Sequence, residues 1–227
     1  MKILVTGGNN GLGLDLCSSL LKDGHEVFAI SKNINNLRKI QNINLKYFKV
    51  DIRKYQKVKD TFAQIKKKYK KFDILVNNAG IYSKSLLQKL SCREIDRIID
   101  TNVKGTIYVS KLMLTELLPG PGKIIIINSV AGTHGIREET VYSASKFALR
   151  GFAESLQYEL KSKKISITNI YPGGINTSLW NKKNVYNGNI NKLLKTQDII
   201  KIINLIINFP TSQIFKNLTI YPTNEDH

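Results

Sequence analysis

The chain has 227 residues, 42% of them apolar, and its 35 basic and 17 acidic residues give a formal net charge of +18. This length fits one α/β domain over residues 1–227, and the apolar content suffices for a large core. The longest apolar run, at residues 124–127, is far shorter than the ~20 residues of a membrane-spanning helix. The two cysteines lie far apart and lack metal-type spacing. We therefore expect a cytoplasmic protein with no membrane segment, no signal peptide and no metal site.

The basic excess raises the question of a nucleic-acid partner. Only six of the 35 basic residues are arginine, and the lysines are scattered apart from one run at residues 66–71. Sequence-specific DNA readers rely on arginine, and no nucleic-acid motif is present. We predict no nucleic-acid partner and interpret the charge as a compositional bias on a solvated surface. An affinity for DNA that survives physiological salt would contradict this interpretation.

Predicted strands alternate with predicted helices along the whole chain. Strand patterns occupy residues 2–6, 26–31, 45–50, 72–76, 123–128, 165–171 and 214–221. Helical patterns occupy residues 14–22, 33–40, 54–69, 91–118 with a break near Asn102, a segment around Tyr142, and 196–209 with Thr196 as its cap. This alternation predicts a doubly wound, Rossmann-type parallel sheet of about seven strands with helices on both faces.

Three spaced glycines follow the first predicted strand. Residues 6–13 read TGGNNGLG, and a helical pattern begins at once. Glycines permit positive φ and close backbone approach, and a helix N-terminus offers free N–H groups to a diphosphate. A plain strand-to-helix turn would not need three spaced glycines. The loop therefore predicts dinucleotide binding, although its G-x-x-x-G-x-G spacing differs from the general G-x-G-x-x-G fingerprint.

The ends of the second and third strands bear on the choice of cofactor. An enzyme that uses NAD usually has an acidic residue after the second strand, and this chain has Ser31 and Lys32 there. The missing acid and the added cation favour a 2′-phosphate, unless Lys32 is simply one more surface lysine. Asp51, after the third strand, could accept from an adenine amino group or cap the following helix. The spacing does not decide between these two roles.

Polar residues also follow the next strands. The sequence Asn-Asn-Ala-Gly at residues 77–80 suits a loop that closes against a ligand, although a polar turn is the alternative. Asn102 lies within a strongly apolar helical pattern, so its amide must be hydrogen-bonded. Ser129 ends the buried fifth strand. It is not surrounded by the G-x-S-x-G motif of a hydrolase nucleophile.

Tyr142 and Lys146 lie four residues apart in a helical segment and therefore share one helix face. A cation near a phenol favours the phenolate, so this pair predicts a general acid/base with a lowered pKa. Alone, the pair also fits a helix with a half-buried tyrosine and a solvated lysine.

The sixth strand ends in Pro-Gly-Gly at residues 172–174. The polar stretch at residues 178–195 is predicted to be a mobile segment over the substrate.

Together these motifs resemble those of the short-chain dehydrogenase/reductase family, in its short, single-domain branch. The family's T-G-x-x-x-G-x-G, N-N-A-G and P-G motifs stand at residues 6–13, 77–80 and 172–173. The resemblance covers residues 6–177 by motif and reaches residue 221 by layout. In general pattern the chain is similar to 3-oxoacyl-(acyl-carrier-protein) reductases within this family.

The resemblance implies a catalytic set of Asn102, Ser129, Tyr142 and Lys146. Tyr142 would exchange a proton with the substrate oxygen, Ser129 would donate to that oxygen, and Lys146 would lower the pKa of Tyr142 and bind the nicotinamide ribose. Asn102 would hold a water that links Lys146 to solvent. The expected cofactor contacts are Gly7, Asn10, Gly11, Leu12, Gly13, Ser31, Lys32, Asp51, Ile52, Asn78, Ala79, Gly80, Tyr142, Lys146, Pro172, Gly173, Ile175 and Thr177.

These residues predict an oxidoreductase that transfers a hydride between NADP(H) and a carbonyl or alcohol, with NAD as the second choice of cofactor. Many NADP-preferring members carry a basic residue in the glycine loop, where this chain has Asn9 and Asn10. The alternatives are an NAD-dependent alcohol or sugar dehydrogenase and a non-catalytic NAD(P)-binding regulatory protein. The expected substrate is a small molecule, free or linked to a carrier protein or CoA. The resemblance also implies a homodimer or homotetramer formed through the helices that hold Asn102 and Tyr142. Candidates for the substrate wall are Tyr82, His134, Trp180 and Tyr186.

Overall fold

The computed structural model describes residues 1–178, 180, 189–210 and 212–223, and its strands form one parallel sheet. The strands are β1 (Lys2–Thr6), β2 (Glu26–Ser31), β3 (Leu45–Lys49), β4 (Ile74–Asn77), β5 (Gly122–Ile127), β6 (Ile165–Pro172) and β7 (Asn217–Ile220). The order across the sheet is β3-β2-β1-β4-β5-β6-β7. The chain winds outward from β1 to β3 and then outward from β4 to β7 on the other side. This confirms the predicted doubly wound sheet.

Six α-helices cover the two faces of the sheet in the described part of the chain. They are α1 (Gly11–Lys22), α2 (Tyr55–Lys68), α3 (Cys92–Ile99), α4 (Thr106–Leu112), α5 (Thr140–Glu159) and α6 (Thr196–Asn208). Alternate residues of β1 point to opposite faces, as the period of a strand requires. Val5 packs in the apolar cluster that includes residues of α1 and α6, and Leu4 packs in the cluster that includes residues of α2, α4 and α5.

The helix predicted at residues 33–40 is wrong, because only a 3₁₀ turn at Leu37–Lys39 forms there. Asparagine side chains compete for the backbone at this point. Asn33 Oδ1 accepts from the N–H of Asn35 at 2.9 Å, and the N–H of Asn36 donates to Asn9 Oδ1 at 2.9 Å. The predicted break near Asn102 is confirmed as a π-helical segment, Asp100–Gly105, between α3 and α4.

The predicted cap of the last helix is also wrong. Thr196 is the first residue of α6, and its hydroxyl donates to Asp15 Oδ2 at 2.7 Å instead of capping the helix. The carboxylate of Asp198 accepts from the N–H of Lys195, the N-cap residue, at 2.9 Å. Of the predicted substrate segment, residues 179 and 181–188, including Tyr186, lie outside the described residues. No described helix is long and apolar enough to cross a membrane.

Candidate active site

The carboxyl ends of the strands open into a cavity of about 1420 Å³. Ligands of doubly wound sheets bind at this edge, near the point where the strand order reverses. Here that point lies between β1 and β4. Every residue predicted to contact the cofactor lines this cavity, and so do Ser129, Tyr142 and Lys146. Asn102 does not line it. The structure therefore brings residues from along most of the chain to one edge.

The glycine loop between β1 and α1 is close to the N-N-A-G loop that follows β4. Asn78 Nδ2 donates to the carbonyl oxygen of Thr6 at 2.9 Å, and the Thr6 hydroxyl accepts from the N–H groups of Asn78 and Ala79 at 2.9 Å each. Gly7 has φ +69, and a Cβ on Gly13 would lie 2.3 Å from the Gly7 carbonyl oxygen. Only glycine permits both the positive φ and the close approach. The loop thus forms a cradle that fits a dinucleotide.

The N-terminus of α1 opens into this cradle. Asn10 is its N-cap residue, but the Asn10 side chain makes no capping hydrogen bond. The first N–H groups of α1 therefore have no side-chain cap and can receive an anion, with the helix dipole as additional attraction. Gly11, Leu12 and Gly13, which carry these groups, all line the cavity. The arrangement fits the diphosphate of a dinucleotide.

An ion pair that the sequence analysis missed occupies the nucleotide end of the cavity. The Arg53 guanidinium donates to Asp51 from Nε at 2.9 Å and from Nη2 at 2.6 Å. These bonds lower the pKa of the Asp51 carboxyl, and Lys32 adds a smaller lowering. The helix-cap alternative for Asp51 is wrong, because α2 begins at Tyr55 with Lys54 as its N-cap residue. The sequence signal for this ion pair was Arg53 itself, two positions after Asp51.

The catalytic candidates meet at the other end of the cavity. Lys146 is 5% exposed, and its Nζ donates to the carbonyl oxygen of Ile127, at the end of β5, at 3.1 Å. Burial lowers the pKa of Lys146 from 10.5 to about 8. Its Nζ lies 5.6 Å from the centroid of the Tyr142 ring.

The pKa of Tyr142 is displaced in the direction opposite to the one predicted. Burial raises it, and the charge of Glu139 raises it further, whereas a hydrogen bond with Ser129 lowers it. Desolvation exceeds the effect of nearby donors when a phenol lies in a poorly solvated site. In this structure Tyr142 is therefore a protonated phenol at neutral pH, which is the form that donates a proton.

The Asn102 amide joins three elements behind the cavity. Its Oδ1 accepts from the N–H of Ile81 at 2.8 Å, and its Nδ2 donates to the Ile81 carbonyl and to Ser145 Oγ at 3.0 Å each. The Ser145 hydroxyl donates in turn to the carbonyl oxygen of Tyr142 at 2.7 Å. Asn102 is 1% exposed. The amide thus links the loop after β4 to the helix that carries Tyr142 and Lys146.

Aromatic side chains flank Tyr142 on the open side of the cavity. The Tyr82 ring packs edge-to-face against Tyr142 at 5.0 Å and against Trp180 at 5.2 Å. The Tyr82 hydroxyl donates to Glu139 Oε1 at 2.6 Å. Tyr82, Trp180 and His134, the candidates for the substrate wall, line the cavity. Glu139, which the sequence analysis did not single out, lines it too.

Comparison with known proteins identifies the family. The family model described as short chain dehydrogenase matches residues 1–187. The chain belongs to this family. It is 34% identical to a 3-oxoacyl-(acyl-carrier-protein) reductase of Buchnera aphidicola over 187 residues, which are 81% of this chain and 77% of that protein. It is 28% identical to an uncharacterized oxidoreductase of Staphylococcus aureus over 224 residues, 96% of each chain.

Solved structures of the family superpose on nearly the whole chain. Serine dehydrogenase from Escherichia coli matches with a TM-score of 0.87 and 26% identity, covering 100% of both chains. A closed form of serine dehydrogenase, complexed with NADP+, matches with a TM-score of 0.91 and 26% identity, covering 100% of this chain and 97% of that one. The fold is thus that of a family of oxidoreductases.

Proposed function

We propose that the protein is an NADP(H)-dependent carbonyl reductase with Tyr142 as its general acid/base. One observation carries the proposal. The glycine cradle and the trio Ser129, Tyr142 and Lys146 line one cavity at the edge of the sheet where such folds bind ligands. A nicotinamide dinucleotide, when bound, supplies the hydride for reduction or accepts it for oxidation.

Each polar side chain at the catalytic end has a distinct role in this proposal. Tyr142 donates its phenolic proton to the carbonyl oxygen of the substrate. Ser129 donates a hydrogen bond to the same oxygen as negative charge develops there. Lys146, whose pKa of about 8 lies near neutral pH, restores the proton to Tyr142 and also binds the ribose. Asn102 keeps the loop at Ile81 and the backbone of α5 in register, and a water at Asn102 would complete a path to solvent.

The nucleotide end supports NADP(H) over NAD(H). Lys32 is exposed beside the cavity, no acidic residue directly follows β2, and Arg53 adds a second cation to the lining. The carboxylate of Asp51, which also lines this end, is already paired with Arg53. Cations without competing carboxylates favour the 2′-phosphate of NADP(H). The structure of serine dehydrogenase complexed with NADP+, which matches the whole of this chain, also supports NADP(H).

The substrate is a small carbonyl compound, free or attached to a carrier protein or CoA. The similarity to 3-oxoacyl-(acyl-carrier-protein) reductases supports the linked form. Basic side chains at the outer wall of the cavity would attract an acidic carrier protein. They are Lys84, Lys89, Arg97 and Arg137. An oxidative alternative, dehydrogenation of a small hydroxy acid, is supported by the similarity to serine dehydrogenase.

A panel of substrates tests the proposal. Ketones, acetoacetyl-CoA and an acetoacetyl carrier protein are assayed with NADPH and with NADH, and serine and related alcohols are assayed with NADP+. Wild type should reduce at least one carbonyl compound, and Tyr142→Phe should lose at least ~100-fold in kcat. Tyr158→Phe is the matched control, because Tyr158 lies on the same helix and is 80% exposed.

Two outcomes would contradict the proposal. Equal oxidation of NADPH by wild type and Tyr142→Phe on every active substrate would exclude Tyr142 as the proton donor. Better turnover with NADH than with NADPH would exclude the role of Lys32.

We also propose that the protein works in the cytoplasm as a homodimer or homotetramer. Exposed aromatic residues on α5, among them Phe147, support an interface on that helix. Size-exclusion chromatography with light scattering tests the assembly, and a monomer at micromolar concentration would contradict it.

A further inference from the structure

The N-cap residue of α1 does not cap its helix. Asn10 has the extended backbone of an N-cap residue, with φ −142 and ψ 161, yet its side chain makes no capping bond. Asparagine is among the best N-cap residues, because its side-chain oxygen accepts from the N–H of the second or third helical residue. Those residues here are Leu12 and Gly13. A specific contact must therefore hold the side chain of Asn10 away from them.

That contact comes from Asn36, which lies after β2. Asn36 Nδ2 donates to Asn10 Oδ1 at 2.8 Å, and Asn9 Nδ2 donates to the same oxygen at 3.2 Å. Asn36 Nδ2 also donates to the Asn9 carbonyl at 3.1 Å. The backbone of Asn36 is fixed too, because its N–H donates to Asn9 Oδ1. Asn36 Nδ2 and Asn9 Nδ2 thus both hold Asn10 Oδ1, and neither belongs to α1.

The three asparagines differ in their position relative to the cavity. Asn10 lines it, whereas Asn9, which is 3% exposed, and Asn36 do not. Asn36 therefore contacts the lining of the cavity through its bond to Asn10. The groups released by this arrangement are the N–H groups of Leu12 and Gly13, whose residues line the cavity.

We propose that Asn36 is a positioning residue for the cofactor, a role that rests on the proposed function: by holding Asn10 Oδ1 it prevents Asn10 from capping α1, and so it leaves the N-terminus of the helix open for the diphosphate. Without the Asn36 side chain, Asn10 Oδ1 loses its shorter bond and keeps the longer one from Asn9 Nδ2, at 3.2 Å. Rotation of Asn10 about χ1 then exchanges this longer bond for a cap on Leu12 or Gly13. The diphosphate must then displace this cap before it binds.

The expected effect follows from the strength of a cap. A side-chain cap of typical strength shifts an equilibrium about fivefold, so Asn36→Ala should weaken dinucleotide binding by about that factor. NADP+ and NAD+ should lose affinity equally, because they share the diphosphate. A contact to the 2′-phosphate would instead affect NADP+ alone.

Calorimetric titration of four proteins with NADP+ and NAD+ tests the proposal: wild type, Asn36→Ala, Asn10→Ala and the double variant. Asn36→Ala should raise both Kd values about fivefold in the wild-type background. In the Asn10→Ala background it should change them less than about twofold, because no side chain is left to cap the helix. Asn35→Ala, an exposed neighbour, is the matched control.

Amide hydrogen exchange of the protein without cofactor gives a second readout. The N–H groups of Leu12 and Gly13 should exchange more slowly in Asn36→Ala than in wild type, because Asn10 now caps them. A common destabilisation of the loop would make them exchange faster.

Three results would overturn the role of Asn36: an equal loss of affinity in both backgrounds, a loss confined to NADP+, or faster exchange at Leu12 and Gly13. A different result would overturn the proposed function itself. That result is a wild-type protein that binds neither dinucleotide.

Discussion

The two ends of the cavity use similar side chains in opposite environments. At the catalytic end, Lys146 is 5% exposed and Asn102 is 1% exposed. At the nucleotide end, Lys32 is exposed, and the side chains of Arg53 and Asp51 are 26% and 21% exposed. Burial changes the chemistry of the first group, as the lowered pKa of Lys146 shows. At the nucleotide end, water and salt screen each charge, so each ion contributes a weak attraction that depends on salt.

This difference predicts that equivalent substitutions have unequal effects at the two ends. Replacing a buried polar residue at the catalytic end should cause a large loss of activity or of stability. Removing a solvent-screened charge at the nucleotide end should have a small effect, and the size of that effect should depend on the salt concentration.

Lys146→Met should lower kcat by at least ~100-fold, because it removes the group proposed to return the proton to Tyr142. The free energy of unfolding should not fall in parallel, because replacing a buried cation with an apolar side chain of similar length removes a desolvation cost. Steady-state kinetics and urea denaturation measure the two effects. A large loss of stability with unchanged kcat would reverse the assignment and make Lys146 a structural residue.

Asn102→Ala should lower the free energy of unfolding by about 1–2 kcal/mol, because it removes the partner of the partly buried N–H and C=O groups of Ile81. Urea denaturation measures the change. Asn35→Ala, at an exposed position, is the matched control and should be near neutral. If both variants were equally stable, Asn102 would not connect the loop after β4 to α5 as described.

The sheet, the glycine loop and the meeting of Ser129, Tyr142 and Lys146 at one cavity were predictable, because their signals are local in sequence. An apolar strand followed by glycines predicts a loop, and the spacing of four positions from Tyr142 to Lys146 predicts a shared helix face. The carboxyl ends of parallel strands then bring these separate motifs to one edge. None of this requires knowledge of how loops pack against each other.

The parts that were missed depend on contacts between segments distant in sequence. Tyr82 and Glu139 are 57 positions apart, and Asn9 and Asn36 are 27 positions apart. The helix and strand periodicities, which relate residues a few positions apart, cannot predict such pairs. The direction of the Tyr142 pKa was missed for a related reason. A neighbouring cation can be read from sequence, but the degree of desolvation is set by the completed packing.

Lys32→Ala should raise the KM for NADPH about fivefold while leaving kcat unchanged, because it removes one screened attraction to the 2′-phosphate. The KM for NADH should change little, and the effect on NADPH should shrink as salt is added. Lys39→Ala, an exposed lysine in the same connection, is the control. An equal rise in both KM values would mean that Lys32 does not read the 2′-phosphate.

Asp51→Asn should have the smallest effect, about 0.5 kcal/mol of stability, because its ion pair with Arg53 is partly solvated. Arg53 lowers the pKa of Asp51 from its ordinary value of 3.8 in the folded protein. The pair therefore stabilises the fold fully above that value, and the stabilisation disappears as the pH falls through the lower folded pKa. Urea denaturation at pH 7 and at progressively lower pH should show wild type and variant converging. Asp60→Asn is the control, because Asp60 is exposed and accepts from the neutral Gln56. A stability difference between wild type and variant that persists or widens at acid pH would mean that the ion pair with Arg53 is not the source of the stabilisation, and it would remove the contrast between the two ends of the cavity.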